Sequence, residues 1–521
     1  MRHSLGILTV KSVATEDPGE LSRGDPPGRI TKFNELAGMT GLASFPKPFP
    51  TMSALYTFLQ VILLIFAVVM SFNIIIFVHE LGHFLAAKWR GLRIDRFQIW
   101  FGTPIWKKEI NGVQYGLGWI PAGGFVALPQ MAPMEAMEGE NKDGKPLAAI
   151  TPLDKIIVAF AGPLFSMLLA LLSAVVVYAV GKPADFIPTQ VVGEVLEGSP
   201  AAAAGILSGD KIIRINGQPV HGFAGSLDSI TENIILSKGK QIEFTVERPG
   251  SPIPLNLVSD FKTAETKWFQ RGGLRQVGIG PEINHIELGG IVKGSPAEKA
   301  GFKDDDILVA INGQPFKDSD KAVAFIKETG ANPISFDITR SGEPLKLEAT
   351  PVVPVAPAGK GPMLGLGFYG SPIQNQAIIH PGPFKQVGDS LRMMWTTIAS
   401  VAAPDSSIGV GHLSGPVGIA KLQYQLLQMD DGWRRILAFM VLFNVNLAVL
   451  NMMPFPVLDG GHIVLAFLEK IFGRPIKAKP LEILQTACAL ALISLMLFVT
   501  SKDIGDSFGH GSSSGQEVVF P

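Results

Sequence analysis

This sequence has a single cysteine, few charged residues and no excess of basic residues. Each of these features excludes or disfavours some classes of protein. The single cysteine in 521 residues, Cys488, has no partner within the chain, so an internal disulfide is excluded. It lies in an apolar run and is interpreted as a small buried hydrophobic residue. Charged residues make up 17% of the chain, against about 25% in an average soluble domain, which indicates membrane spans. A net charge of −1 argues against a nucleic-acid partner, because such a partner needs a concentrated basic face.

Four apolar segments are long enough to cross a lipid bilayer, which takes about 20 residues in a helix. They are residues 54–78, 156–180, 436–453 and 481–500. Lysines and arginines cluster after the first segment and between the last two, so both connections are predicted to face the cytoplasm. The long stretch between spans two and three, and both termini, are then predicted to lie outside.

The regions between and beyond the spans have distinct compositions. Residues 1–51 are polar and rich in proline and glycine, which predicts either a disordered extension or a misassigned start upstream of Met52. The predicted organisation is 1–51 as that extension, 52–184 as spans one and two, 185–265 and 280–352 as two small domains, 353–430 as a linker with an amphipathic helix, 431–503 as spans three and four, and 504–521 as a disordered tail. The amphipathic helix is predicted either to lie on the outer membrane surface or to pack as an ordinary helix.

An internal repeat marks the two small domains. The pattern Gly-Ser-Pro-Ala, Ala-Gly, Asp and Ile-Asn-Gly-Gln-Pro begins at Gly198 and recurs at Gly294, an offset of 96 residues. Each copy predicts a short helix with serine as its N-cap, then a strand and an Asn-Gly hairpin turn. The second copy has Asp305 where the first has Gly209, so the sequence leaves the conformation of its turn undecided. The repeats resemble the PDZ domains of bacterial envelope proteases, which implies binding of peptide termini along a sheet edge; the alternative is a pair of spacers without a ligand.

The motif that carries chemistry is His79-Glu80-Leu81-Gly82-His83 at the end of the first span. Two histidines four residues apart project from one face of a helix and can share a zinc ion. Glu80 lies beside them, placed to accept a proton from the water that attacks a peptide carbonyl. Charged and imidazole side chains are costly inside a membrane, so their presence there predicts a function.

A catalytic zinc ion needs a third protein ligand, and the extended motif with a third histidine fails because position 89 is Trp89. The best candidate is Asp459, in the run Asn451-Met-Met-Pro-Phe-Pro-Val-Leu-Asp-Gly-Gly-His462. Two prolines break the apolar run there, and irregular backbone at membrane depth is tolerated only inside protein or around a wet cavity. Asp459 alone would be interpreted as a helix cap; beside the histidine motif it is the predicted ligand, ahead of His462.

These motifs and the tandem repeats together resemble the site-2 protease family, of the bacterial regulator-of-sigma-E protease type, over about residues 52–500. Shorter matches are Gly123-Gly124-Phe125-Val126, Ala161-Gly162-Pro163 and Leu413-Ser414-Gly415-Pro416. The resemblance implies a multi-pass α-helical membrane protein with about four transmembrane helices and two small β-rich PDZ domains inserted between spans two and three. It also implies the inner membrane of a bacterium, with the PDZ domains outside and the active site toward the cytoplasm.

The same resemblance implies an intramembrane zinc metalloprotease with one zinc ion per chain, held by His79, His83 and Asp459. Its substrates would be single-pass membrane proteins cut within the bilayer, such as an anti-sigma factor or signal-peptide remnants. Asn451 would hydrogen-bond the substrate backbone, and a cytoplasmic-side β-hairpin within residues 93–128 would pair with the unwound substrate. Within that hairpin the predicted substrate-binding residues are Gly123, Gly124 and Phe125.

Two other classes of function remain open on the sequence. The first is a membrane scaffold with an inactive metal site that works by peptide binding, and the second is a metal transporter. Glu80 beside the two histidines favours the protease. Asn444 and Asn446, inside the third span, fit helix–helix hydrogen bonds as well as they fit substrate contacts.

Overall fold

The computed structural model describes residues 52–131, 150–356, 359, 361–372, 377–473, 478–509 and 520–521. The predicted extension, 1–51, lies outside this part of the chain. The α-helices in chain order are α1 (Met52–Trp89), α2 (Pro152–Val180), α3 (Pro200–Ala203), α4 (Ile230–Leu236), α5 (Pro296–Ala300), α6 (Ser319–Thr329), α7 (Pro383–Ala402), α8 (Pro416–Gln428), α9 (Gly432–Asn451), α10 (Asp459–Phe472) and α11 (Ala478–Gly509). Short 3-10 helices occur at Pro129–Met131 and Val410–His412.

The strands in chain order are β1 (Arg96–Phe101), β2 (Trp106–Ile110), β3 (Val113–Leu117), β4 (Ile120–Ala127), β5 (Lys182–Pro183), β6 (Val192–Val195), β7 (Lys211–Ile215), β8 (Gln218–Pro219), β9 (Gln241–Glu247), β10 (Leu255–Asp260), β11 (Lys262–Thr263), β12 (Arg275–Gln276), β13 (Ile279–Pro281), β14 (Ile283–Gly289), β15 (Asp306–Ile311), β16 (Gln314–Pro315), β17 (Ile334–Arg340), β18 (Glu343–Ala349), β19 (Gly367–Pro372) and β20 (Ile378–Ile379).

Four of the described helices, α1, α2, α9 and α11, are long and apolar enough to cross a membrane, which confirms the predicted number of spans. α2 is the centre of the bundle, and α1, α9 and α10 all pack against it. Its start is fixed by a capping box in which Thr151 and Asp154 satisfy each other's backbone N–H groups. Small residues bring the helices close: a Cβ on Gly82 of α1 would lie 2.4 Å from the Ala161 carbonyl oxygen of α2.

The segment after α1 forms a four-stranded sheet of order β2-β3-β1-β4, which is wider than the predicted hairpin. β2 and β3 are the hairpin, joined at Asn111-Gly112, where both residues have positive φ as a type I′ turn requires. β1 pairs with β3 in parallel and with β4 antiparallel. β4 is therefore the last strand of the sheet, and its outer edge is open to pairing among the described residues.

The stretch between spans two and three folds into two β-rich units, which we call the first module (187–281) and the second module (283–372). The first contains the sheets β10-β9-β7-β8 and β13-β6, and the second a sheet of order β18-β17-β15-β14-β19 with β16 beside β15. Phe244 and Phe336 are fully buried at the centres of the two cores. Both modules extend past the predicted boundaries at 265 and 352. β19 lies in the stretch interpreted as linker, where its proline and glycine content hid the strand.

The repeated motif forms the predicted local structure in both modules. Ser199 and Ser295 accept hydrogen bonds from backbone N–H groups of the helices α3 and α5, as N-caps do. Asp305 has φ 68°, close to the 92° of Gly209, so the second module keeps the same left-handed turn with an aspartate. Aspartate is among the few non-glycine residues that adopt this conformation readily.

The amphipathic helix is α7, and its buried residues are uncharged and polar: Gln386, Ser390 and Ser400. Gln386 is buried and its Nε2 donates to the Ala174 carbonyl oxygen of α2 at 3.0 Å. Phe384 and Trp395, on its apolar side, are 82% and 73% exposed. Exposed apolar side chains such as these, beside membrane-spanning helices, fit contact with lipid.

The first part of the predicted tail, 504–509, is helical, because α11 continues to Gly509. Asp503 holds this end in place: it is 4% exposed, accepts from the backbone N–H groups of Gly415 and Gly418 at 3.1 and 2.8 Å, and pairs with Arg271. These long-range contacts outweigh the polar composition of the segment.

Candidate metal centre

Three side chains from two helices converge where α1 and α10 meet. Nε2 of His79 lies 3.3 Å from Nε2 of His83 and 3.3 Å from Oδ2 of Asp459, and Nε2 of His83 lies 3.4 Å from Oδ1 of Asp459. Tetrahedral zinc with bonds of about 2.0–2.2 Å keeps its ligand atoms about 3.3–3.6 Å apart. The two imidazole nitrogens and the Asp459 carboxylate therefore already have the spacing of zinc ligands, and they are the one such group of histidine, cysteine or carboxylate side chains among the described residues.

The two imidazole rings are oriented by α2. Nδ1 of His83 lies 2.8 Å from the Val158 carbonyl oxygen, which can only accept, so Nδ1 carries the proton and Nε2 has the free lone pair. Nδ1 of His79 lies 3.0 Å from the hydroxyl of Ser166, a fully buried residue. Outer partners of this kind fix the ring orientation of metal-binding histidines. The contacts of Val158 and Ser166 with the histidines were not predicted, because no sequence motif in α2 indicates them.

Gly162 of α2 provides the space for the two histidines. A Cβ at this position would lie 2.2 Å from Nε2 of His83 and 2.9 Å from Nε2 of His79. Glycine inside a helix costs about 1 kcal/mol relative to alanine, so a glycine in the middle of an apolar helix is a usable signal of close approach. In the sequence, Gly162 stands out only as part of the family match Ala161-Gly162-Pro163.

Asp459 is presented by a tight break between α9 and α10. The chain folds back so closely that a Cβ on Gly460 would lie 2.2 Å from the Met452 carbonyl oxygen, and one on Gly461 would lie 2.0 Å from that of Phe455. The two glycines after Asp459 are therefore required by the turn itself. Oδ2 of Asp459 is buried and has no hydrogen-bond partner among the described residues, which leaves it available to a cation.

The remaining predicted residues lie around this group at different distances. Glu80 follows His79 on α1, and the strand β4 passes close to it: a Cβ on Gly124 would lie 3.3 Å from Cγ of Glu80. Nδ2 of Asn451 lies 3.5 Å from Nε2 of His79. Asn451 therefore borders a ligand atom directly, and Gly124 borders Glu80.

Two other predicted substrate residues help to shape β4. Gly123 has φ 72°, and the ring of Phe101 occupies the place of its Cβ. Phe125 stacks on the same ring, with 6.5 Å between centroids and 8° between planes. This packing fixes the edge strand beside Glu80.

His462 and the two asparagines of the third span stand apart from the metal group. His462 is 8% exposed and its Nε2 has no hydrogen-bond partner among the described residues, but it is not part of the convergent set. Asn444 is fully buried and donates to the Met440 carbonyl oxygen of its own helix at 2.8 Å. Like Nε2 of His462, Oδ1 of Asn446 is buried without a hydrogen-bond partner in the described part of the chain.

Comparison with known proteins found a matching family model and similar proteases. A family model described as peptidase family M50 matches residues 65–495. The protease RseP of Yersinia pestis is 29% identical, over 82% of this chain and 96% of the relative. A candidate zinc metalloprotease of Neisseria meningitidis is 28% identical, over 83% and 96%. The regulator of sigma-E protease RseP of Escherichia coli is 26% identical, over 82% and 95%.

Proposed function

The chain belongs to peptidase family M50 and is a membrane-embedded zinc metalloprotease, and we propose that His79, His83 and Asp459 are its zinc ligands and Glu80 its general base. The observation that carries this proposal is the convergence of three side chains: Nε2 of His79 lies 3.3 Å from Nε2 of His83 and 3.3 Å from Oδ2 of Asp459, and Nε2 of His83 lies 3.4 Å from Oδ1 of Asp459. Three protein ligands leave the fourth tetrahedral position open, as catalytic zinc sites require.

A zinc ion held by these residues would polarise a peptide carbonyl and make an adjacent water molecule more acidic. Glu80 accepts a proton from that water as the oxygen attacks the carbonyl carbon, and it returns the proton to the amide nitrogen as the C–N bond breaks. Water is thereby added across the peptide bond, and one new carboxyl and one new amino terminus result. Val158 and Ser166 keep the imidazoles in the orientation that this chemistry needs.

A transmembrane helix hides its carbonyl groups in its own hydrogen bonds, so the substrate must unwind before cleavage. The open edge of β4 supports a role in holding the unwound segment, because it offers main-chain donors and acceptors beside Glu80. Gly123 and Gly124 make room for the Phe101 ring and the Glu80 side chain against β4, and Asn451, 3.5 Å from Nε2 of His79, would bind the substrate backbone. We expect helix-breaking residues in a substrate to accelerate its cleavage.

We further propose that the two modules are PDZ domains that act as a filter outside the inner membrane, with the active site toward the cytoplasm. Their support is the repeat, the open outer edge of β19, and the helix α6 that packs beside it, a groove suited to an extended peptide. Substrates would be single-pass membrane proteins already shortened outside, such as an anti-sigma factor or signal-peptide remnants. Deleting residues 187–372 should then permit cleavage of the full-length substrate, and a continued need for prior shortening would refute the filter.

The position of the cut tests the protease proposal. A single-pass reporter is incubated with the purified chain in detergent, and intact-mass measurement of the products locates the hydrolysed bond. Cleavage within the apolar segment, lost after zinc chelation and regained on adding zinc, is expected. Cleavage confined to the soluble parts of the reporter would contradict an active site at membrane depth.

A further inference from the structure

The last two residues of the sequence, Phe520 and Pro521, lie against the second module. The side chain of Phe520 is only 9% exposed. Its ring covers Gly365: a Cβ on that glycine would lie 2.8 Å from Cε2 of Phe520 and 2.4 Å from Cβ of Ser295. Nζ of Lys299 donates to the main-chain oxygen of Pro521 at 3.1 Å. A buried aromatic ring and a hydrogen bond together define a seat formed by Gly365, Ser295 and Lys299.

The seat lies at the junction of α5 with the turn that leads into β19. Two main-chain hydrogen bonds build this junction: Val292 N–H donates to Gly365 at 2.8 Å, and Ala297 N–H donates to Leu364 at 3.0 Å. β19 begins two residues after Gly365 and is the last strand of its sheet. The Phe520 ring therefore covers the start of the strand whose edge is proposed to bind peptides.

The first module has the same junction without the same seat. The equivalent hydrogen bonds run from Leu196 and Ala201 to the turn at Gly278, each at 2.9 Å. At the 96-residue offset of the repeat, Lys299 corresponds to Ala203, whose side chain cannot donate a hydrogen bond. Gly278 packs against side chains of the first module itself. The lysine and the aromatic contact are thus particular to the second module.

The C-terminal end of α11 lies beside the first module, so residues 510–521 continue from the side of the membrane that carries the modules. Nζ of Lys502 donates to the Gln270 carbonyl oxygen at 3.1 Å, and Arg271 N–H donates to Asp506 at 3.0 Å. Residues 510–519 are all that separates this fixed end from Phe520. A link this short raises the effective concentration of its end to the millimolar range, so a weak contact is sufficient for occupancy.

We propose that Phe520 and Pro521 are an intramolecular ligand of the second module, bound at the seat of Gly365, Ser295 and Lys299. The seat accepts an aromatic ring followed by a main-chain oxygen within reach of the lysine. A segment of another protein with this chemistry binds there only by displacing the chain's own tail, so the second module is self-capped and the first is not.

Amide hydrogen exchange on the full chain tests the proposal, with the first module as an internal control. Deleting residues 510–521, or replacing Phe520→Ala, should increase exchange at Val292 and Ala297 at least five-fold. Leu196 and Ala201, in the matching junction, should change less than two-fold. Equal changes in both modules, or none in either, would overturn the proposal.

Two further comparisons separate a specific seat from a general effect of shortening the chain. Adding a peptide with the sequence of residues 516–521 to the deleted chain, at about 5 mM to match the effective concentration, should restore protection at Val292. Lys299→Glu in the full chain should increase exchange there at least three-fold, whereas Lys303→Glu, an exposed lysine of the same module, should leave it unchanged. Failure of the peptide to restore protection, or equal effects of the two lysine variants, would show that the tail has no defined seat.

Discussion

Replacing Gly162 by alanine is expected to remove zinc from the chain while the fold persists. The new Cβ would lie 2.2 Å from Nε2 of His83, whereas ordinary contacts begin at 3.4 Å, so the imidazole and the helix must separate by about 1.2 Å (3.4 − 2.2 Å). The same Cβ would lie 2.9 Å from Nε2 of His79, so the second ligand is displaced as well.

A displacement of this size is several times the tolerance of a metal site, where ligand distances vary by about 0.2 Å. Losing even an outer partner of a ligand lowers metal affinity about 10–100-fold, so direct displacement of a histidine by Gly162→Ala should cost at least 100-fold. That corresponds to about 2.8 kcal/mol at 1.4 kcal/mol per tenfold. Alanine is also the better helix former, which favours retention of α2.

The assay is the zinc content of the purified protein at fixed free zinc, together with cleavage of a transmembrane reporter. Gly388→Ala in α7 is the matched control, because a Cβ there meets nothing within 4 Å. Gly162→Ala should lose zinc and cleavage with its helical content unchanged, and Gly388→Ala should keep all three. Wild-type zinc content and rate in Gly162→Ala would refute the packing of the histidines on α2.

Three further predictions concern one residue beside the site and two residues outside it. Ser166→Ala should weaken zinc binding about ten-fold at unchanged thermal stability, because Nδ1 of His79 loses the partner that orients the ring; equal affinity in a zinc titration would contradict this. Burial, with Asp320 of the second module nearby, raises the pKa of Glu194 to about 7, above its ordinary 4.5. The stabilising contribution of protonated Glu194 is therefore full below pH 4.5 and is lost as the pH rises through 7. Because the group is half-exposed, this contribution is on the order of 1 kcal/mol. Glu194→Gln should abolish this pH dependence of thermal unfolding. Asp503→Ala should destabilise the chain by about 1–3 kcal/mol, because it leaves the N–H groups of Gly415 and Gly418 without their acceptor and removes one of the two carboxylates that pair with Arg271. A loss below about 0.5 kcal/mol in thermal unfolding would show that these contacts are not needed.

The parts of the structure that follow from short-range chemistry were predictable from the sequence. His79 and His83 share a helix face because they lie four residues apart, and the repeat at Gly198 and Gly294 carries its own cap and turn residues. Asp459 could be predicted to lie near the histidines only by combining two separate motifs. Its position at the first turn of α10 agrees with that prediction. The roles of these residues stay predictions.

The parts that depend on distant segments were not predictable. Val158 and Ser166 reach the histidines only because α2 packs against α1, and no local pattern in α2 records that contact. β19 was hidden because prolines and glycines surround it, although they do not prevent an edge strand. The helix through Asp503 was missed for a related reason: its polar residues find partners in the segment around Arg271, far away in the sequence.

Cleavage of a transmembrane reporter by the wild-type chain and by Glu80→Gln, with zinc content measured for both, tests the central claim most directly. Glutamine keeps the size of the side chain but cannot accept a proton from water. We predict that both proteins hold one zinc ion and that only the wild type cuts the reporter. Cleavage by Glu80→Gln at the wild-type rate would contradict the role of Glu80 as general base. A wild type that binds zinc but does not cut a reporter that another intramembrane protease cuts would contradict the account as a whole and favour a scaffold or a transporter.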